Sequence, residues 1–181
     1  MHFDYLESTD PDVAAALSGE VDRQNDTLAM IASENHVSEA VLEAQGSELT
    51  NKYAEGYPGE RYYGGCEYAD EVEQLAIERA TELYGADHIN VQPHSGSQAN
   101  MGVYQAVLEP DDKILSLDLT HGGHLSHLHP AHLAGQVHEA EQHEVDPATG
   151  RIDYAALTAQ AEAHHPDTIV SSYYAYPATL E

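Results

Sequence analysis

The chain has 181 residues, enough for one ordinary domain with a sizeable core, and its 32 acidic and 6 basic side chains give a formal net charge of -26. A surface with this charge repels nucleic acids and anionic membranes. Because the acidic residues are spread among regular apolar positions, the composition predicts a folded protein from a halophilic source, in which salt screens the self-repulsion.

Cysteine content and the lack of targeting signals predict where the protein works. Cys66 is the only cysteine, which excludes an internal disulfide and fits a reducing compartment. The first residues lack the basic start and apolar run of a signal peptide, and no apolar stretch reaches membrane-spanning length. We therefore expect a cytoplasmic protein with neither nucleic-acid nor membrane partners.

Helical patterns dominate residues 1–85. A capping aspartate and a proline at residues 10–11 predict a helix start, and Ser38 predicts a second one. Apolar side chains recur at helical spacing over residues 70–84, and Gly85 ends that helix. These signals predict a mostly helical N-terminal arm.

Strands alternate with helices in residues 86–181, a pattern that predicts an α/β fold with a parallel sheet and crossover helices. This part is expected to be the first half of a cofactor-binding domain. The predicted strands are 88–92, 113–117, 136–142 and 167–174, the predicted helices are 97–108 and 153–164, and a turn is predicted at 146–150.

A small-residue segment, Ser95-Gly96-Ser97, follows the first of these strands and opens a helix. Free backbone N–H groups and the helix dipole favour an anion at such a position, and a phosphate group fits there. The same residues are also typical of an ordinary cap and tight turn.

The run at residues 51–68 contains five tyrosines and is too rich in glycine and proline for a regular element. Loops with this many aromatic side chains usually pack on a partner subunit or a ligand. A loop that only covers the core remains the alternative.

Histidines cluster at residues 121–129 and leave three interpretations open. His121, His124 and His127 have spacings found in zinc sites, although Gly122-Gly123 favours a special turn over a metal-binding helix. One imidazole held against a flat ring is the second interpretation. Surface histidines that replace basic residues are the third, and we assign to this class His129, His132, His138, His143, His164 and His165.

Four motifs taken together, IASENHVSEAV (31–41), LTNKYAEGYPGERYYGGCEYAD (49–70), VQPHSGSQANMGVY (91–104) and LTHGGHLSH (119–127), resemble serine hydroxymethyltransferase. The resemblance runs from about residue 5 to the last residue. It implies the N-terminal part of a fold-type I pyridoxal-phosphate enzyme, which resembles aspartate aminotransferase in fold.

The resemblance implies a cofactor site for pyridoxal 5′-phosphate. Ser95, Gly96 and Ser97 match the residues that hold the cofactor phosphate, and His124 matches the residue that stacks on the pyridine ring. Tyr53 matches a residue that reaches the phosphate of a neighbouring subunit. No metal is expected.

Substrate-side roles follow from the same resemblance. Glu55, His124 and Tyr63 match catalytic positions, with Glu55 near the substrate hydroxyl and a folate. The implied substrates are serine or glycine and a tetrahydrofolate-type pterin carrier, and the implied assembly is a homodimer or tetramer. The matched substrate-binding residues are Ser33, Glu55, Tyr62, Tyr63, Leu119 and Leu125.

Two departures from the family pattern matter. Tyr174 stands where the family has a serine near the cofactor, and the lysine that holds the cofactor falls outside the matched motifs. Lys52 and Lys113 are the only lysines, and neither lies in the family's lysine motif. We therefore expect a truncated, incomplete or split enzyme that is inactive alone. A non-catalytic dimerising remnant and a histidine-cluster metal-binding protein remain alternatives.

Overall fold

The computed structural model describes residues 3–31 and 33–180. They form two compact units, one ending at His36 and one beginning at Val37. The division of the chain at residue 85 stays a prediction.

The helices are α1 (Asp4–Thr9), α2 (Pro11–Asp26), α3 (Glu39–Gln45), α4 (Glu67–Tyr84), α5 (Gly96–Val107), α6 (Leu125–Leu128), α7 (Leu133–Val137) and α8 (Tyr154–His164). The strands are β1 (Gly56–Tyr57), β2 (Glu60–Arg61), β3 (Lys113–Leu117), β4 (Glu139–His143) and β5 (Thr168–Val170).

The first unit consists of α1 and α2, and the predicted start of α2 is confirmed. The Asp10 carboxylate accepts a hydrogen bond from the Val13 N–H at 3.2 Å, and Pro11 is the first helical residue. The N–H of a first helical residue has no acceptor within the helix. Proline, which has no N–H, therefore loses no hydrogen bond at this position.

The second unit has a parallel sheet with the strand order β4-β3-β5. Strand β3 pairs with β4 from Lys113 opposite Glu139 to Leu117 opposite His143. It pairs with β5 on its other side, with Leu115 opposite Ile169. The predicted α/β fold with crossover helices is confirmed, because α6 and α7 connect β3 to β4 and α8 connects β4 to β5.

The core lies around the central strand. Ile114 and Leu115 in β3 are fully buried, since β3 has a strand on each side and is covered on its faces. Ile114 belongs to a buried cluster with Tyr104 and Leu108 from the α5 segment and Leu128 from α6. This packing fixes α5 and α6, which carry the residues of the candidate site.

The predicted strand at 88–92 is wrong, because within the described part of the chain this extended segment pairs with no strand. Its polar groups have other partners. The Asn90 side chain accepts a hydrogen bond from the Gln92 N–H at 2.9 Å, and the Gln92 amide donates to the Gly56 carbonyl at 2.8 Å. The segment is therefore held by side-chain hydrogen bonds.

Strand β3 is confirmed with its predicted bounds, 113–117, whereas β4 and β5 are confirmed in place but differ in extent. Strand β4 begins at Glu139 and not at residue 136, because α7 continues to Val137. Strand β5 ends at Val170, after which the Tyr174 N–H bonds the Gly122 carbonyl at 2.8 Å. The tyrosine-rich loop contains a two-residue hairpin, β1 with β2.

Helix ends in the second unit follow local signals. Ser38 caps α3, which was predicted to start there, and Asp153 caps α8, whose predicted bounds began at residue 153 itself. Helix α4 begins at Glu67, three residues before the predicted start at residue 70, and ends at Gly85 with a left-handed φ of 60°. Among the helices in residues 3–31 and 33–180, none has the length and apolar character of a membrane span.

Candidate functional site

The N-terminus of α5 offers free backbone donors at the predicted phosphate position. The Ser95 hydroxyl caps the helix by accepting a hydrogen bond from the Gln98 N–H at 3.1 Å. The N–H groups of Gly96 and Ser97 have no hydrogen-bond partner among the described residues. Because the helix dipole places positive partial charge at this end, the segment has the donors that a phosphate group needs.

A tight turn at Gly122 and Gly123 follows β3. Gly122 has a φ of 108°, and a Cβ there would lie 2.8 Å from the Tyr176 nitrogen. A Cβ on Gly123 would overlap the carbonyl oxygen of Leu117 and lie 2.9 Å from that of Asp118. Both positions therefore require glycine, and together they set the direction in which the chain leaves the sheet toward His124.

The imidazole of His124 is fixed at the start of α6. Its Nδ1 lies 3.1 Å from the backbone nitrogen of Ser126 and 2.7 Å from the Ser126 hydroxyl oxygen. The Asn100 amide of α5 donates to the same hydroxyl at 2.8 Å. The Tyr174 ring lies beside the imidazole, with 6.0 Å between ring centroids. The ring of His124 is thus connected to α5 through the hydrogen bonds of Ser126 and Asn100.

The tyrosine-rich loop brings together three of the predicted residues. The Tyr63 hydroxyl donates to the Glu55 carboxylate at 3.2 Å. The rings of Tyr53 and Tyr63 meet edge to face, with centroids 5.9 Å apart. Tyr53 and Tyr62 are each more than 70% exposed, so the described residues leave most of their aromatic surface uncovered.

A cavity of about 580 Å³ lies between this loop, α4 and the segment that precedes α5. Its lining includes Glu55 and Lys52 from the loop and Gln92 and His94 from the segment before α5. The cavity therefore connects the predicted catalytic carboxylate with the residues directly before the phosphate position.

The guanidinium of Arg61 is nearly buried, with a side chain that is 5% exposed. Its Nε donates to Asp70 at 2.7 Å and its Nη2 to Glu73 at 2.6 Å. The hydrogen bond from Arg61, assisted by the N–H of Gly59, holds the pKa of Asp70 below its usual value. Helix α4 thereby holds the hairpin through charge-assisted hydrogen bonds.

Arg61 also orients the backbone around Glu55. Its Nη1 donates to the carbonyl oxygens of Ala54 and Gly56, each at 2.7 Å. The Gln92 amide donates to the same Gly56 oxygen at 2.8 Å. The carbonyl groups of the residues before and after Glu55 are therefore fixed, although the Glu55 side chain itself is exposed.

The clustered histidines have different surroundings. The Nδ1 of His121 accepts a hydrogen bond from the Val145 N–H at 3.2 Å, whereas His127 is 2% exposed. His143 was predicted at the surface, and this is wrong: it is 4% exposed because it ends β4 opposite Leu117. Within residues 3–31 and 33–180, no three His, Cys, Asp or Glu side chains group as metal ligands.

Burial of His127 predicts a specific loss of stability in acid. Desolvation, with repulsion from His124 and His132, lowers the pKa of His127 to about 4 from 6.5. Between these values the unfolded chain binds a proton that the folded chain does not, so stability falls as the pH falls from about 6.5 to 4. The expected loss at this residue is about 3 kcal/mol.

Denaturant unfolding of His127→Gln at several pH values in molar salt checks this prediction. The variant is expected to lose less stability than the parent chain between pH 6.5 and 4. His88→Gln, a matched change at an exposed position, is expected to keep the full loss. Equal acid sensitivity of all three proteins would contradict the prediction.

The structure assigns the predicted site residues to separate groups. Tyr53, Glu55 and Tyr63 lie together in the loop, and His124 is linked to the α5 segment. Leu119 and Leu125 flank the glycine turn and are partly exposed. Ser33 lies in a turn of the first unit. The exposed Tyr62 joins the loop through its backbone N–H, which donates to the Glu55 carbonyl at 3.1 Å.

Sequence reasoning missed the residues that support these groups, namely Asn100, Ser126, Arg61 and Gln92. A weak signal exists for Arg61, because it is one of only 6 basic residues and lies inside the tyrosine-rich run. Asn100 and Ser126 are 26 positions apart, and nothing in either local sequence indicates that their side chains meet.

Comparison with known families gives one match. Residues 6–181 match the family model described as serine hydroxymethyltransferase. Two similar relatives are named serine hydroxymethyltransferase, one from Halobacterium salinarum and one from Haloarcula marismortui, and each is 72% identical over all 181 residues. A relative from Methanospirillum hungatei, with the same name, is 55% identical over 98% of the chain.

The match covers nearly all of this chain but less than half of its relatives. The chain spans 44% of the length of the Halobacterium and Haloarcula proteins and 43% of the Methanospirillum protein. The predicted fold class is confirmed, because the matched family consists of fold-type I pyridoxal-phosphate enzymes. With a family match over residues 6–181, this chain belongs to the serine hydroxymethyltransferase family.

Proposed function

We propose that this chain supplies the cofactor-phosphate, ring-stacking and proton-transfer residues of an enzyme that interconverts serine and glycine. The one-carbon unit would pass to a tetrahydrofolate-type carrier. The observation that supports the proposal is the hydrogen-bonded link from Asn100 of α5 through Ser126 to His124, because it joins the helix that would bind the phosphate to the imidazole that would stack on the ring.

The described residues fit pyridoxal 5′-phosphate. Ser95 caps α5 and leaves the N–H groups of Gly96 and Ser97 available for the phosphate, and His124 offers a fixed imidazole ring for stacking. When bound, the cofactor supplies the electron sink that cleavage between the α and β carbons of serine requires. The protein supplies binding, orientation and control of protons.

Glu55 and Tyr63 are proposed to handle protons at the substrate hydroxyl. Their side chains already share a hydrogen bond of 3.2 Å, and Arg61 fixes the backbone that carries Glu55. A carboxyl group so placed can accept the hydroxyl proton, while the Tyr63 O–H orients the carboxylate. Ser33 is proposed to contact the substrate as well.

The pterin carrier is proposed to bind beside the glycine turn. Leu119 and Leu125 flank this turn and are 36% and 40% exposed, so they offer apolar surface for a flat ring. The polar remainder of the carrier would lie toward Glu55, which the resemblance places near the folate.

A second subunit is proposed to cover the tyrosine-rich loop. Tyr53 is 75% exposed and Tyr62 is 77% exposed, and aromatic side chains of this kind are typical of interfaces. In a homodimer or tetramer, Tyr53 would reach the phosphate site of the neighbouring subunit. A cytoplasmic location stays a prediction. Adaptation to high salt is proposed from the net charge of -26 and the haloarchaeal relatives.

The chain alone is proposed to lack hydroxymethyltransferase activity, because neither lysine matches the family's cofactor lysine and both lysine amines bond backbone carbonyls. The Lys52 Nζ donates to the Tyr53 carbonyl at 2.9 Å. The Lys113 Nζ donates to the His164 carbonyl at 3.3 Å and lies 4.0 Å from Glu139. The Lys52 amine is thus held in the loop, and the Lys113 amine is held at the start of the central strand β3.

A binding titration tests the phosphate site directly. In molar salt, the absorbance of pyridoxal phosphate is expected to change on binding to the chain. Ser95→Asp is expected to weaken this binding by about tenfold or more, because an aspartate still caps the helix but repels the phosphate.

The matched control is Ser38→Asp, which makes the same change at the N-cap of α3. It is expected to bind pyridoxal phosphate as the parent chain does. Failure of the parent chain to bind the cofactor, or equal binding by Ser95→Asp and the parent, would refute the proposed site.

A further inference from the structure

The link between α5 and His124 has a fixed hydrogen-bond direction. The backbone N–H of Ser126 can only donate, so the His124 Nδ1 that lies 3.1 Å away accepts and carries no proton. The Asn100 Nδ2 donates to the Ser126 hydroxyl oxygen at 2.8 Å. The hydroxyl hydrogen is then available for His124 Nδ1 at 2.7 Å.

We propose that Asn100 and Ser126 are positioning residues that hold His124 in its neutral tautomer protonated at Nε2 and fix the plane of its ring. With Nδ1 occupied by two donors, the ring proton lies on Nε2. This inference rests on the proposed function for its meaning in catalysis, because it assigns the residues that prepare the stacking imidazole for the cofactor ring.

The contact between Asn100 and Ser126 also sets the distance between the two ends of the proposed cofactor site. Asn100 lies in the first half of α5, the helix whose N-terminus is proposed to hold the phosphate, and Ser126 lies in the short helix that His124 begins. Ser126 is fully buried and Asn100 is partly buried, so water competes weakly for their hydrogen bond. The two ends of the cofactor site are therefore held at a set separation before any ligand binds.

Nitrogen NMR of the histidine rings tests the tautomer without any ligand. The chain is labelled with ¹⁵N-histidine in molar salt, and the His124 signals are identified by their loss in His124→Gln. In the parent chain, Nδ1 is expected to have the shift of an unprotonated nitrogen and Nε2 that of a protonated one. Ser126→Ala removes the hydroxyl donor and Asn100→Ala leaves that hydroxyl free to rotate, so Nδ1 keeps only the backbone N–H as a fixed donor and the population of this tautomer is expected to fall. Ser126→Thr, which keeps a hydroxyl, is expected to retain it.

Ligand affinity provides a second measurement. The probe is 4′-deoxypyridoxine phosphate, a ring phosphate without the reactive aldehyde. Its affinity is expected to fall about fivefold in Ser126→Ala and Asn100→Ala, as expected for the loss of one hydrogen bond, while inorganic phosphate binds as before. Gln105→Ala removes an amide from an exposed position of the same helix and is expected to change neither measurement.

The outcomes separate this inference from the proposed function. Protonation of His124 at Nδ1 in the parent chain would overturn the inference, as would an unchanged tautomer population in both alanine variants. Failure of the parent chain to bind either phosphate ligand, with the expected tautomer present, would instead overturn the proposed cofactor site and leave the positioning contact established.

Discussion

Gly123→Ala is expected to lower the free energy of unfolding by about 3 kcal/mol or more, a large share of the roughly 5–15 kcal/mol that is typical of a domain. The added Cβ would overlap the Leu117 carbonyl oxygen and lie 2.8 Å from the Leu117 carbonyl carbon. Neither atom can move aside easily, because Leu117 belongs to the central strand and is 1% exposed. Denaturant unfolding in molar salt, followed by circular dichroism, measures the loss.

Gly102→Ala is the matched control for this change. Gly102 lies inside α5, and a Cβ there would meet no other described atom within 4 Å. Alanine suits a helix interior better than glycine, so this variant is expected to gain about 0.5–1 kcal/mol. Similar stabilities for Gly123→Ala and Gly102→Ala would contradict the close approach at the glycine turn.

Glu55→Gln is expected to lower kcat about 10²- to 10⁴-fold in a completed enzyme, which is the range for loss of a general acid or base. The chain alone is expected to show no tetrahydrofolate-dependent serine cleavage. A chimera is made by joining this chain to the part of a 72% identical relative that the chain does not cover. The chimera is expected to be active. Steady-state kinetics of this chimera, with and without Glu55→Gln, measures the effect.

Glu60→Gln provides the control, because it makes the same change at an exposed carboxylate in the same hairpin. It is expected to leave kcat of the chimera within about twofold, as usual for a surface substitution. Serine cleavage by the 181-residue chain alone would refute its proposed inactivity. Unchanged kcat in Glu55→Gln would remove that carboxylate from proton transfer.

Local signals in the sequence predict helix starts and ends well. Asp10 and Ser38 each cap the helix that was predicted to start there, and Gly85 ends α4 as predicted. Asp153 caps α8, one residue before the helix itself begins. These features depend on a few neighbouring residues, whose side chains satisfy the free N–H groups at a helix end.

Features that depend on distant residues were not predictable in this way. The segment at 88–92 has a strand-like composition, but a strand requires a partner, and the described residues provide none. His143 was assigned to the surface as one of the histidines that replace basic residues in a lysine-poor protein, yet β3 and the end of β4 bury it. The family motifs predict candidate residues for the chemistry, but they give no sign of the contact between Asn100 and Ser126, which forms only when α5 packs beside α6.

The enclosed guanidinium of Arg61 has a consequence for how the Glu55 loop responds to its ionic surroundings. At 1 M salt the Debye length is about 3 Å, so dissolved ions weaken exposed pairs such as Arg23 with Glu20. The side chain of Arg61 is 5% exposed, and ions reach it poorly. The backbone on both sides of Glu55 can therefore keep its place in brine, where contacts on the surface of the same molecule loosen.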